Sequence, residues 1–484
     1  MRTDIRVLEV QPYYSHEKAR EPLKFGNVVV EESLYCHVRA RVENRKGNVA
    51  DGWGAIFLMD MWGWPTPKVA HSDREEAMRR VNERFCHLVA SYKGYAHPVD
   101  IFLETEKDLK RVSHQVCEEM DLPEKMPFLA ALISASPVDA ALHDAFGKVN
   151  SISTYDGYGP DVIAHDLGYY LGQEFRGRTI GDYIRKAYLP RIPIFHLVGG
   201  LDTLWKAEVA ESAPQDGLPN SLEEWIERDG LICLKVKLRG NDLEWDLNRF
   251  LEVVWVAREV QGRQGRSELY LSADTNEQCE SPDYVVELLA RLKEKDPQAF
   301  DSLLYIEQPT ERELSAHRFD MHGLSEIKLV ILDESLTSLE DFDLALELGW
   351  SGIALKTCKC QSNDLLLLAK AEEKGIPYTI QDLTNPGLAL LQSVGLAART
   401  HTVKGVEGNS RQYFPHISRP EAEVHPGIFR VKDGQVTTAS LRGAGLGFRV
   451  EGIKRDIFHA AGARESEPLR DNLKGDTNEK VHVL

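Results

Sequence analysis

The apolar positions of this chain change rhythm part-way along it. In the first sixty residues they alternate with polar ones. Asn27–Glu32 and Tyr35–Val42 read as two strands, Asn44–Asn48 as a turn, and Ala50–Gly54 as the start of a third strand. Pro12–Phe25 reads as a loop carrying Tyr13, Tyr14, His16, Lys18 and Arg20. From 70 to 150 the spacing turns helical over Arg74–Tyr92 and Glu104–Met120. Proline at the front and glycine near the end predict a further helix over Pro137–Lys148. Residues 1–150 thus read as a small α+β domain. Residues 151–190 hold the turn cluster Asp156–Pro160 and a helix-like run from Ile180 to Tyr188, and read as an elaborated linker.

From residue 191 short aliphatic runs alternate with helical stretches. Ile192–Val198 comes first. Leu234–Lys237, Leu269–Asp274, Leu303–Glu307, Leu329–Asp333 and Gly352–Lys356 follow, then Ile376–Asp382 and Ala398–Lys404. Helices are predicted over Ser221–Arg228, Leu243–Glu259, Pro282–Lys295, Leu339–Leu348 and Asn363–Lys374. Short runs rich in branched aliphatics are how parallel strands buried on both faces read. Eight of them at βα spacing predict a closed parallel barrel over 191–450. The alternative is an open doubly wound sheet. That fold normally carries a glycine-rich phosphate loop after its first strand, and Val198-Gly199-Gly200-Leu201 is too short for one. Residues 451–484 form a polar C-terminal tail, expected on the surface.

The chain has 484 residues, 42% hydrophobic and 28% charged, ordinary values for a globular protein. Its 58 Lys and Arg against 76 Asp and Glu give a formal charge of −18. That excess disfavours nucleic acid or an anionic membrane as a partner. Its 7 cysteines include no CxxC pair, and Cys358 and Cys360 read as buried thiols. No signal-like N-terminus and no apolar stretch of membrane-spanning length are found. The expectation is a cytoplasmic enzyme.

Five of the aliphatic runs end in a charge that cannot serve a core. Asp274, Glu307 and Asp333 end three successive strands, and adjacent strands lie about 5 Å apart. Three carboxylates so close repel unless a cation sits among them. An oxygen-only donor set suits Mg²⁺ first and Mn²⁺ second. Lys235 and Lys237 lie two apart on one strand and so face the same side, while Lys356 ends the strand after Asp333. Lys237 and Lys356 are therefore expected on opposite sides of the acids. Lys235 is expected to weaken the hold of Lys237 on its proton. A cation between two lysine bases points to removal of a proton next to a carboxylate. Positioning supplies roughly 7–11 kcal/mol of such a barrier. The rest must come from charge stabilisation of the enolate.

These pieces, with Asp274-Thr275-Asn276, Ile306-Glu307-Gln308-Pro309, Leu332-Asp333-Glu334-Ser335 and Leu355-Lys356, resemble the enolase superfamily, closest to its muconate-lactonizing-enzyme-like subgroup. The helix Val138–Lys148 resembles the one that closes that family's capping domain. The resemblance implies a (β/α)7β modified TIM barrel with an α+β N-terminal capping domain. It implies Mg²⁺ on Asp274, Glu307 and Asp333, Lys237 and Lys356 as the acid/base pair, and Lys235 as an electrostatic helper. It also implies a small carboxylate substrate and a homo-oligomer. The mandelate-racemase subgroup would show a His–Asp dyad on later strands, whereas here Lys356 and Asp382 stand there.

Candidate substrate contacts are Asn276, Asp382, Glu407 and, from the loop that folds over the substrate in the family, Tyr14, His16, Lys18 and Arg20. Ser335–Leu339 and Asn385-Pro386-Gly387 are expected at the mouth. His143 and His416 read as packed or solvated. His196 and His401, inside predicted strands, read equally as core or site. The expected reaction is racemisation or epimerisation through a metal-stabilised enolate. An acid-sugar dehydratase and a lactone-forming cycloisomerase share the same machinery. A non-catalytic metabolite-binding barrel is the alternative of another class.

Overall fold

The computed structural model describes residues 1–459. Three antiparallel strands open the chain: β1 (Ile5–Phe25), β2 (Val28–Asn44) and β3 (Val49–Phe57), in the order β1-β2-β3. The expected loop over 12–25 is instead the second half of β1. It pairs with β2 from Ile5–Asn44 up to a two-residue turn at Gly26-Asn27, with irregularities after Val7 and Lys18. Gly26 adopts φ +48, which only a residue without Cβ takes freely. The two runs 27–32 and 35–42 are likewise one strand. Tyr13 and Tyr14 are half-buried against the core, and that partner surface is what a one-dimensional reading could not supply.

Helices cover His71–Ala90, Pro98–Glu106 and Leu109–Glu119, so the stretch expected as one helix over 104–120 is broken between Glu106 and Leu109. The helix Phe128–Asn150 runs straight through Pro137. Proline cannot donate to the carbonyl four residues back, and the Ser136 hydroxyl donates to Ile133 O at 2.9 Å instead. Burial of nearly every residue of this helix outweighs the local cost. It lies directly against β3, where Gly52 and Gly54 have no side chain to hold it off. A Cβ on Gly52 would stand 2.1 Å from Ala145 N, and one on Gly54 2.1 Å from Pro137 O.

The segment 151–190 forms short turns of helix at Thr154–Tyr158, Leu167–Leu171, Gln173–Phe175 and Ile180–Asp182, without the longer helix expected over 180–188. Next come eight parallel strands: β4 (Arg191–Val198), β5 (Cys233–Lys237), β6 (Tyr270–Asp274), β7 (Leu303–Glu307), β8 (Leu329–Leu332), β9 (Gly352–Lys356), β10 (Tyr378–Gln381) and β11 (Val406–Glu407). They pair in chain order, and β11 closes on β4 through Val406–Ile194 and Glu407–Phe195. The eighth strand was expected over 398–404. That stretch instead follows a helix, Gly387–Ala398, buried on every side, so that even its polar Gln392 and Ser393 mark no exposed face. β12 (Gln435–Thr437) adds antiparallel to the start of β4. Among the described residues no helix is long and apolar enough to cross a membrane. All seven cysteines are buried and unpaired. Of the polar tail, the described part ends in a helical turn, Asp456–His459, whose Phe458 packs on Trp53. The remainder lies outside the described residues.

Side chains alternate across each barrel strand, and this decides what fills the interior. Phe195, Cys233, Tyr305, Ile331 and Ala354 form an apolar plug. Two residues further along the same strands stand Lys235, Glu307, Asp333 and Lys356. The charged layer thus sits on a dry floor at the strands' C-terminal ends, where barrel sites are built.

Gly52→Ala is expected to destabilise the chain by about 3 kcal/mol, since the clash is with backbone that cannot swing away. A denaturation midpoint equal to that of the unaltered chain would show that the helix can retreat from β3.

Candidate active site

Every charged group at the strand ends is out of water. Asp274, Glu307, Asp333, Glu334, Asp382 and Glu407 are buried, and so are Lys235, Lys237, Lys356 and Lys359. The ammonium groups interleave with the acids. Lys235 Nζ donates to Glu307 Oε1 at 2.6 Å and Glu407 Oε1 at 2.8 Å, and stands 3.1 Å from Asp274 Oδ2. Lys237 Nζ donates to Asp274 Oδ2 at 2.5 Å and Asn276 Oδ1 at 2.8 Å. Lys356 Nζ donates to Asp333 Oδ2 at 2.6 Å. The three acids sit on consecutive strand ends, with Lys237 bonded at one end of the row and Lys356 at the other.

The electrostatics follow from this interleaving. Burial opposes the charge on Lys235, but Glu307, Glu407 and Asp274 outweigh it and hold its ammonium well above the usual lysine range. Burial likewise opposes Lys356, and Asp333 overrides it in the same direction. Lys235 and Lys356 are thus held protonated by the acids that face them. Burial pushes Asp274 up, yet Lys237 and Lys235 bring it down to about 2. Asp333 is held far below the carboxylate range, because Lys356 and Lys359 outweigh its burial. Glu307 goes the other way. Burial raises it well above normal, and Asp274 and Asp333 add to this against the single pull of Lys235. Burial and Asp333 push Glu334 to about 7; burial and Glu407 push Asp382 to about 6.

Among the described residues no three His, Cys, Asp or Glu side chains already converge as a metal cage, because ammonium groups hold the space between the acids. The charge balance nevertheless fits a divalent cation. Six buried acids stand with four lysines, a formal excess of two acids, and the donors are oxygens throughout.

Several members of the site were not visible in the sequence. Lys359 donates to Asp333 O at 2.5 Å and Oδ1 at 3.1 Å from a short turn after β9. Its direction depends on Cys360 at φ +78. Gln381 Nε2 donates to Glu307 Oε2 at 2.7 Å. Here the period of two could have helped, since Gln381 faces inward while Asp382 lies just past the strand. Gln308, at φ +33, accepts Asp333 N–H on Oε1 at 2.9 Å and so fixes that acid's backbone.

The cavity above the lysines is small, about 40 Å³, and is lined by Leu23, Phe25, Met59 and Trp62 from the N-terminal domain, with Leu197, Asp382–Thr384, Glu407 and Asn409. Asp382 and Glu407 thus face it, bridged by Asn409 Nδ2 at 2.9 and 3.3 Å. Asn276 reaches the site through Lys237. The four candidates on β1 are placed elsewhere. Tyr14 donates to Asn82 at 2.6 Å, His16 is exposed 3.6 Å from Glu75, and Lys18 is exposed. Arg20 is clamped on Asp216 and Asn220 at 2.6 and 2.5 Å. It tethers the strand to the loop after β4. The residues of that strand that do roof the cavity, Leu23 and Phe25, are apolar. Ser335–Leu339 line a separate cavity, and Asn385 is buried beneath the mouth.

His143 is wholly buried and bonded to Ser362 and Tyr158, each at 2.9 Å. His196 is buried in β4 against Trp225. His401 lies before β11, on Glu372 at 2.9 Å, and His416 is half-exposed near Glu17.

The fold is shared with solved structures of low sequence identity. 2-Chloromuconate cycloisomerase from Rhodococcus opacus 1CP aligns at TM-score 0.58 with 16% identity, covering 95% of this chain and 100% of that one. Dipeptide epimerase from Cytophaga hutchinsonii, complexed with Mg and dipeptide D-Ala-L-Val, aligns at 0.57 with 15% identity, over 94% and 98%. N-succinyl Arg/Lys racemase from Bacillus cereus ATCC 14579 aligns at 0.56 with 15% identity, over 94% and 97%. No curated protein matches in sequence. The family model described as enolase C-terminal domain-like matches residues 218–453, which hold all four lysines and all six acids of the site. The stretch 218–453, just under half of the chain, is thus similar to the enolase C-terminal domain-like family.

Proposed function

We propose that this chain is an enzyme that removes and returns the proton next to a carboxylate, as a racemase or epimerase of a small carboxylic acid. One observation carries the reading: Asp274, Glu307 and Asp333 stand in a row with Lys237 bonded at one end and Lys356 at the other. Two amines approaching one carbon from opposite sides can take a proton from either hand of the substrate and return it on the other face. Cycloisomerase, epimerase and racemase neighbours of the same fold support enolate chemistry in general.

Asp274, Glu307 and Asp333 would hold a divalent ion, Mg²⁺ by preference, as in the dipeptide epimerase complexed with Mg. Such an ion supplies Lewis-acid stabilisation of the charge that builds on the carboxylate oxygens. The chain's own residues do the rest. Lys235, held protonated by Glu307 and Glu407, supplies a fixed positive charge beside the substrate carboxylate. Lys237 and Lys356 carry the proton on the two faces. Leu23, Phe25, Met59 and Trp62 exclude water and strengthen every charge interaction below them. A cavity of about 40 Å³ holds a water or two. Entry of the substrate therefore requires the roof to lift.

N-acylated amino acids, dipeptides and acid sugars incubated with the chain and Mg²⁺ in D₂O should include one whose α-hydrogen exchanges in both enantiomers. A keto product instead, trapped by semicarbazide, would reassign the chain to the dehydratases. Lys237→Ala and Lys356→Ala are each expected to lower exchange on one face by about 10²–10⁴-fold. Equal residual exchange on both faces in each variant would remove the two-base reading.

Asp333→Ala is expected to weaken Mg²⁺ binding at least about 100-fold by calorimetry, as loss of a direct carboxylate ligand should. Unchanged affinity in a folded variant would place the ion elsewhere.

A further inference from the structure

Glu334 follows Asp333 in sequence but does not line the catalytic cavity. It is 2% exposed and borders two other cavities, of about 440 and 700 Å³. Its Oε1 accepts two hydrogen bonds, from Trp62 Nε1–H and Asn276 Nδ2–H, both at 2.9 Å. Each donor also touches one of the two lysines. Asn276 Oδ1 accepts from Lys237 Nζ at 2.8 Å, and Lys356 Nζ stands 4.6 Å from the centre of the Trp62 ring.

Both contacts run through this one oxygen. With its nitrogen donating to Glu334, the Asn276 amide turns its oxygen toward Lys237. Trp62 has a single N–H, so one bond fixes the direction of the ring whose face meets the ammonium. Arg312 completes the frame. It donates from Nη1 to Trp62 O at 3.0 Å and from Nε to Glu277 Oε2 at 2.7 Å. Asn276 and Glu277 sit at φ +44 and +64, a conformation that non-glycine residues keep only when the surroundings enforce it.

We propose that Glu334 is a positioning residue that sets both lysines at once, Lys237 through Asn276 and Lys356 through the Trp62 indole. Asn276 belongs to the barrel and Trp62 to the N-terminal domain. Glu334 therefore reaches Lys237 through the barrel, where that amine has only a longer contact with the N-terminal domain, 5.7 Å to the Phe25 ring, and reaches Lys356, which Asp333 also holds, through that domain. One side chain thus links the setting of the second amine to the seating of that domain. The inference takes from the proposed function only that these two lysines are the working pair.

The test is lysine-by-lysine acetylation of the full chain in Mg²⁺ with acetic anhydride, read by peptide mass spectrometry against exposed Lys454. Trp62→Phe keeps a ring and removes the N–H. It is expected to raise labelling of Lys356 about fivefold and leave Lys237 within about twofold. Asn276→Ala is expected to do the reverse, and Glu334→Ala to raise both. Glu334→Gln retains Oε1 as an acceptor for both donors and should label like the unaltered chain. Equal movement of both lysines in Trp62→Phe, a Gln variant that behaves as the Ala variant, or no movement in any variant would overturn the proposal. If Glu334→Ala fails to fold, the other three substitutions decide alone. Labelling requires no turnover, so its outcome is independent of whether any acid exchanges in D₂O.

Discussion

A charge moved out of water must be met by an opposite charge or by hydrogen bonds, and the mouth of this barrel holds six carboxylates and four ammonium groups in that condition. Their interleaving is the constraint on which the rest depends. Removing one partner leaves the other buried and uncompensated, which in proteins costs about 3–5 kcal/mol. A hydrophobic replacement of the whole cluster would be no worse for stability. The cluster is therefore poor structural material, and its presence on the rim of a well-packed barrel speaks for chemistry. Burial, with Asp274 and Asp333 adding to it, makes Glu307 and Glu334 resist ionisation, while Asp274 and Asp333, each on two lysines, do not.

The N-terminal domain seals this cluster as well as covering it. Its first hairpin is long, continuous and held by Arg20 against the loop after β4, so it delivers apolar Leu23 and Phe25 over the lysines. Trp62 enters from the same domain and faces Lys356 with its ring. The cap–barrel joint is itself polar and dry. Asp139 on the long helix accepts the backbone N–H and hydroxyl of Ser362, at the start of the helix that follows β9 and Lys356. Glu106 accepts from Asn363 beside it. The domain thus grips the barrel next to the strand that carries the second lysine.

Where local pattern and tertiary contact disagreed, contact won for identifiable reasons. Proline at 137 has the look of a helix start, but the Ser136 hydroxyl takes over the orphaned carbonyl and burial of the whole helix carries the rest. Tyr13, Tyr14, His16 and Lys18 resemble a polar loop, yet pairing to β2 turns them into strand, and Arg20 lies in the irregular stretch that follows. The eighth barrel strand was misplaced because the helix before it is buried on every side and β11 itself is only two residues long.

Alternation along short aliphatic runs was enough to find the barrel and its charged rim. With side chains reversing at every residue, Lys235 and Lys237 have to share a face, and successive strand ends have to place Asp274, Glu307 and Asp333 side by side. What sequence could not supply was everything that reaches the rim from outside that period: Lys359 from a turn, Trp62 from another domain, Leu23 and Phe25 from a hairpin pinned by Arg20. Lys359 is set by the backbone of its turn, and the others by distances between segments far apart in the chain. Such distances follow from how the domains pack, and no local spacing encodes them.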